Sequence, residues 1–305
     1  MNRNKNIFEP MTWEQYSENR ERYGHVSTWA LYNEKVLNLE KTEAEYDFPL
    51  RKELIIANDE NEFIEKKLSE KLNKNVIFLA LNFSGPQSME KAKNNKMHQI
   101  LAKYNEKYNN DYLKNNMEES IEDQKERYKE LSDLAKDDEM YLFANIYSPF
   151  GKGTKSYGYY NVMENNKKAN ELLSGAYITD LIKFAPTDKE IISCGISQAD
   201  STNKKVTDLL KKGYIEYQIN GLRDELNTLG VTKPIFIYLH SKLKNNAILK
   251  KRLKELYGED TGIYYLPHYS PQTKNIGGKI YDDYEQMFCK VTEKVLDEIE
   301  NKYNK

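Results

Sequence analysis

The feature that most narrows the fold is a set of short, unbroken apolar runs. Val76-Ile77-Phe78-Leu79-Ala80-Leu81 is the clearest of them. A strand with one wet face alternates apolar and polar residues. A run without alternation is buried on both faces, as in a parallel sheet covered by helices. Comparable runs occupy 176–183, 234–240 and 262–271, with a further candidate at 141–147 and a shorter one at 54–57. Between them lie stretches with apolar residues at helical spacing: 60–74, a short one near 165–174, 203–229, 243–257 and about 280–303. Gly213 and Gly221 open the possibility that 203–229 is two helices, and Gly258 is placed to cap the one before it.

Strands alternating with helices imply an α/β chain: three layers, α/β/α, around a central, mainly parallel four-stranded sheet. Residues 88–138 interrupt the pattern. They are rich in Asn, Glu and Lys, with Ile121, Leu131 and Leu134 as thin apolar anchors, and read as a charged helical insertion. Such a segment is either a solvated arm or a lid or flap through which 88–138 meets a protein partner. Residues 1–60, which hold Trp13 and Trp29, read as an N-terminal extension packed on a core domain of 61–305.

Bulk composition removes some functions and leaves others. With 46 Lys and Arg against 48 Asp and Glu, the chain as a whole is not a basic nucleic-acid glove, though a local basic face fits the numbers. Cys194 and Cys289 are the two cysteines and form no CxxC pair, so neither a zinc site nor a disulfide framework is expected. No metal or other cofactor is expected. The N-terminus leads into no apolar stretch, so the expectation is a cytoplasmic protein without a membrane partner. The 24 tyrosines have two readings, base composition of an AT-rich genome or a stacking surface for nucleobases.

In open parallel sheets ligands bind outside the carboxyl ends of the strands. That rule selects the loops after Leu81, Ile182, Leu239 and Leu266, whose polar side chains are Asn82, Asp180, Lys183, His240, Ser241, His268 and Ser270. Two of the four histidines fall there. Asn82 either forms an Asx turn or serves the site. Asp180, a carboxylate in an apolar run, must be satisfied by Lys183, by backbone amides or by a ligand. His240 reads first as the cap of the helix that follows it, and His268 is either a packed loop residue or a site residue. The loop 148–160 is not a Walker A motif, and neither a Gly-x-Ser-x-Gly elbow nor a GxGxxG fingerprint occurs.

Three strand-end motifs resemble those of the uracil-DNA glycosylase superfamily, in the same order. Ala80-Leu81-Asn82-Phe83-Ser84-Gly85-Pro86 is similar to its Gly-Leu-Asn-Pro-Gly loop, Tyr177-Ile178-Thr179-Asp180-Leu181-Ile182-Lys183 to its Tyr-Ile-Thr-Asn motif, and Pro267-His268-Tyr269-Ser270-Pro271 to its His-Pro-Ser-Pro loop. The resemblance spans 75–285 apart from the insertion and leaves out 1–60. It implies a metal-free, monofunctional DNA glycosylase that flips a base out of single- or double-stranded DNA and hydrolyses its N-glycosidic bond. It further implies that Asn82 positions the water and His268 donates to the pyrimidine O2. Phe150 or Tyr159 would stack on the base, and Lys152, Lys155, Lys183, Ser270 and Lys274 would meet phosphates.

Two residues depart from the family pattern. Phe83 stands where proline follows the asparagine, and Asp180 stands where an asparagine reads the base. An amide offers an acceptor and a donor, which suits uracil; an ionised carboxylate offers acceptors only. The expected substrate is therefore an altered or modified base, with a modified cytosine the favoured example. The alternative is a glycosylase-fold module without catalysis that binds a nucleobase, DNA or a protein partner.

Overall fold

The apolar runs at 76–81, 176–183, 234–240 and 262–271 each contain a strand, and helices cover both sides of the sheet they build. A computed structural model describes residues 6–24, 27–30, 56–82, 126, 166–182, 214–267, 275–276, 279–280 and 284–303. Its strands are β1 (Ser27–Ala30), β2 (Asn73–Asn82), β3 (Ala176–Ile182), β4 (Ile235–Tyr238), β5 (Gly262–Tyr265), β6 (Asn275–Ile276) and β7 (Lys279–Ile280). Its helices are α1 (Trp13–Tyr23), α2 (Glu60–Glu65), α3 (Leu68–Lys71), α4 (Lys167–Leu173), α5 (Tyr214–Thr228), α6 (Ser241–Lys244), α7 (Ala247–Tyr257) and α8 (Tyr284–Tyr303).

The sheet has five strands, not four, in the order β1-β3-β2-β4-β5. The strand missing from the sequence reading is β1, which pairs antiparallel with β3 through Ser27↔Thr179 and Trp29↔Tyr177. Ser27-Thr28-Trp29-Ala30 is too short and too polar to read as an apolar run, yet all four residues are buried. Tertiary pairing makes it a strand, because β3 needs its outer edge hydrogen-bonded. The other pairs, β2–β3, β2–β4 and β4–β5, are parallel.

Side-chain alternation along each strand divides the core in two. Ile77, Leu79, Tyr177, Phe236 and Tyr238 face a layer containing Tyr16, Phe63, Ile219, Leu222 and Leu253. Val76, Phe78, Ile178, Ile235 and Ile237 face Leu172, Phe288, Leu296 and Ile299 of α4 and α8. The four parallel strands are ordered β3-β2-β4-β5, so the chain moves outward from β2 to β3 and then crosses back over β2 to reach β4. Crossovers of one hand must then lie on opposite faces, and α4 and α5 do.

Several element boundaries differ from the sequence reading. The helix expected over 60–74 is two short helices, broken at Lys67 with φ 54, and β2 already begins at Asn73. Ile56 and Ala57 are not in a strand; the Ala57 amide instead donates to the Tyr16 hydroxyl at 2.8 Å. The helix expected over 243–257 is α6 and α7, each with its own cap. α5 runs through Gly221 without a break. β6 and β7 pair antiparallel ahead of α8. The strand candidate at 141–147 lies outside the described residues, as does the 88–138 insertion apart from the helical Glu126. Among the described residues no helix is long and apolar enough to cross a membrane.

Candidate functional site

Reversal of strand order occurs between β2 and β4. There the connections leave in opposite directions, so the carboxyl ends of these two strands flank a crevice where α/β proteins hold ligands. The register defines what stands at that edge. Ala80 pairs with Asp180 and Asn82 with Ile182 across β2 and β3. Leu79 pairs with Tyr238 across β2 and β4. The ladder runs one residue past each strand: the Leu239 amide donates to the Leu79 carbonyl at 2.9 Å, and the Leu266 amide to the Tyr238 carbonyl at 3.0 Å. Ala80, Asp180, Leu239 and Leu266 therefore form one row, the last that crosses all four parallel strands.

Asp180 is 1% exposed and lies on the α4/α8 side of the sheet with Ala176 and Ile178. Its neighbour in register on β2, Ala80, is the smallest residue of that row. Asp180 is not isolated, since at least one polar or electrostatic contact reaches it. The backbone of Asn82 ends β2. The side chain of Asn82 lies outside the described residues, as do Phe150, Lys152, Lys155, Tyr159, Lys183, His268, Ser270 and Lys274. Of the expected site residues, Asp180 and the Asn82 backbone stand together at one edge.

The residue after Leu239 is His240, buried at 5% exposure. It caps α6, its Nδ1 accepting the Lys242 amide at 3.1 Å, so the capping reading holds. Burial pushes its pKa down to about 4, and the nearby Lys242 charge adds to the effect. With Nδ1 occupied as an acceptor, the neutral ring carries its proton on Nε2. Two cations follow. The Lys244 ammonium sits 4.7 Å from the centroid of the Tyr265 ring. The Lys242 ammonium is shielded from solvent and has no hydrogen-bond partner among the described residues. Its signal in the sequence was slight: a Lys four positions beyond the end of a buried strand.

The opposite face holds a second set of buried polar groups. Glu225 of α5 is 0% exposed, and its Oε1 accepts from the Tyr177 and Thr179 hydroxyls at 2.8 Å each. Asn19 donates to Thr228 at 3.0 Å, and Thr228 donates to the Glu225 carbonyl at 2.7 Å. Burial and the Glu225 charge raise the Tyr177 pKa well above that of a free tyrosine. This network ties β3 to α1 and α5 beneath closed packing, so its role is to fix β3 in place. Among the described residues no group of three or more His, Cys, Asp or Glu is arranged to hold a metal ion.

No family model matches the chain, and neither a curated protein nor a solved structure matches it.

Proposed function

We propose that this chain is a DNA glycosylase-like hydrolase that acts on an altered or modified base, most fittingly a pyrimidine, flipped from DNA. The observation that carries the reading is the register between β2 and β3: Asp180 pairs with Ala80, two residues before Asn82, at the carboxyl end of the sheet's central parallel pair. An amide and a carboxylate on adjacent strand ends suit the two tasks of the reaction. In this reading Asn82 holds a water below the anomeric carbon. The water oxygen bonds to that carbon as the glycosidic C–N bond breaks, the base departs with the electron pair, and the proton the water loses ends on the released base. His268 donates a hydrogen bond to the departing anion. Asp180 reads the edge of the base, where an acceptor-only group selects an edge rich in donors. Phe150 or Tyr159 stacks on the base, and Lys152, Lys155, Lys183, Ser270 and Lys274 meet phosphates. The substrate setting is cytoplasmic DNA.

The test is an alkali-cleavage assay on oligonucleotides carrying uracil, hypoxanthine, xanthine or a modified cytosine. Breaks with a modified base, lost in both Asn82→Ala and His268→Ala, are the expected result. Efficient release of uracil with modified cytosines ignored would remove the substrate assignment, and an absence of breaks on every substrate would remove catalysis. A second reading has one observation in its favour. Asp180 is closed to solvent, which suits a module of this architecture that binds a nucleobase, DNA or a protein without cleaving a bond. Retention of the same oligonucleotides without breaks is its signature.

A further inference from the structure

The loop edge of β4 carries a charge that the glycosylase reading does not use. Lys242 projects from α6, which packs against β2, β4 and β5 beside the point where strand order reverses. Its ammonium is out of solvent and finds no carboxylate, carbonyl or hydroxyl among the described residues. Its neighbours are poor counter-charges. His240 is neutral near pH 7 and uses its ring acceptor on the Lys242 amide. Lys244 is a like charge turned onto Tyr265. On the facing strand ends, Leu79, Leu81, Leu239 and Leu266 are apolar and buried.

An ammonium shielded from water without a hydrogen-bond partner is disfavoured, so its retention calls for a use. The Lys242 amide is already taken by His240, so the attraction at this edge comes from the side-chain cation and not from a helix end. A lysine ammonium is a compact point charge, well matched to a phosphate oxygen. The place matches as well, since the reversal point of a doubly wound sheet is where phosphate-bearing ligands sit.

We propose that Lys242, oriented by the His240 cap, is the cationic centre of a phosphate subsite at the carboxyl end of β4, taking a phosphate monoester or diester oxygen. His240 is the positioning residue: its ring fixes the turn from which the lysine rises. The subsite stands whether or not the chain cleaves a glycosidic bond, because it depends on no residue given a role in that reaction.

Titration of the full chain with inorganic phosphate, followed by calorimetry and thermal unfolding, tests it. Thymidine 5′-monophosphate against thymidine isolates the phosphoryl group, and acetate at equal ionic strength controls for any anion. Saturable binding of phosphate and of the nucleotide, with a rise in Tm, is expected for the natural chain. Lys242→Met keeps the stem and should weaken phosphate at least about tenfold, a change of about 1.4 kcal/mol. Lys242→Arg should restore part of the affinity. Without ligand the Met variant should be as stable as the natural chain or more so, since it sheds an uncompensated charge. Equal phosphate affinity in the natural and Met chains would overturn the subsite. So would binding of acetate as tight as phosphate, or no saturable binding to the natural chain; that last measurement needs no variant to fold.

Discussion

At the scale of single residues, two buried groups set measurable terms. His240 has its pKa lowered from 6.5 to about 4 by burial and by Lys242. Between those values the unfolded chain binds a proton that the folded chain refuses. Stability from this residue is therefore complete above pH 6.5 and declines as pH falls toward 4, by at most about 3 kcal/mol. Asparagine keeps a capping acceptor and does not titrate. Urea unfolding of His240→Asn at pH 7 and pH 4.5 should show a shallower loss than the natural chain; identical slopes would rule out the buried neutral imidazole. Glu225 works differently, because its two hydroxyl partners lose their acceptor when it is removed. Glu225→Leu should cost about 3 kcal/mol in denaturant unfolding and Glu225→Gln nearer 1 kcal/mol, since the amide oxygen still accepts. These residues also mark what could be read in advance. Asp180 was legible as a carboxylate inside an apolar run, and His240 as a cap, because both signals are local. Glu225 was not, since Tyr177 and Thr179 lie 48 and 46 residues away in sequence. Lys242 is not legible in the sequence, because a surface lysine and a shielded one have the same signature there.

At the scale of elements, the long apolar runs were readable and the breaks between elements were not. β2, β3 and β4 coincide with runs of residues buried on both faces, which no amphipathic helix shows. The break between α2 and α3 depends on Lys67 adopting φ 54, a conformation uncommon for a residue with a side chain and invisible in helical periodicity. The turn from α4 into β3 depends likewise on one glycine. Gly175 has φ 78, its carbonyl accepts from the Asn73 amide at 2.7 Å, and its amide donates to the Ala30 carbonyl. A Cβ there would run into the Lys71 carbonyl oxygen. Backbone of three separate segments meets at this point, so none can move aside alone. Gly175→Ala combines a left-handed penalty with that collision and should cost about 2–4 kcal/mol. Guanidinium unfolding is the measurement, and Gly258→Ala is the comparison: its φ is 102, but no atom stands within 4 Å of the added carbon, so its loss should be smaller.

At the scale of the whole molecule, strand order decides where ligands can sit, and order is a property of connections. Nothing in the run Ile235-Phe236-Ile237-Tyr238 indicates that it lies beside β2 and not beside β3, so the crevice between β2 and β4 came from topology alone. The same holds for the N-terminal segment. Its contribution was hidden because the pairing partner of β1 is 146–152 positions away on β3, a separation that no local pattern reports. Once paired, β1 closes an edge that would otherwise offer free amides and carbonyls to another chain. Trp29 then lies 4.7 Å from the Tyr177 ring centroid, while Met11, Tyr16 and Tyr23 are buried at no more than 1% exposure. Burying a large apolar side chain contributes about 1.5–3 kcal/mol. Four of them amount to about 6–12 kcal/mol, as much as the whole net stability of an ordinary domain, about 5–15 kcal/mol. Deleting residues 1–30 should therefore abolish the cooperative thermal transition and yield soluble aggregates through the bared β3 edge, as read by circular dichroism and size-exclusion chromatography. A truncated chain that elutes as a monomer and melts within a few degrees of the full one would mean that β1 and α1 are an appendage and that β3 closes its edge by other means.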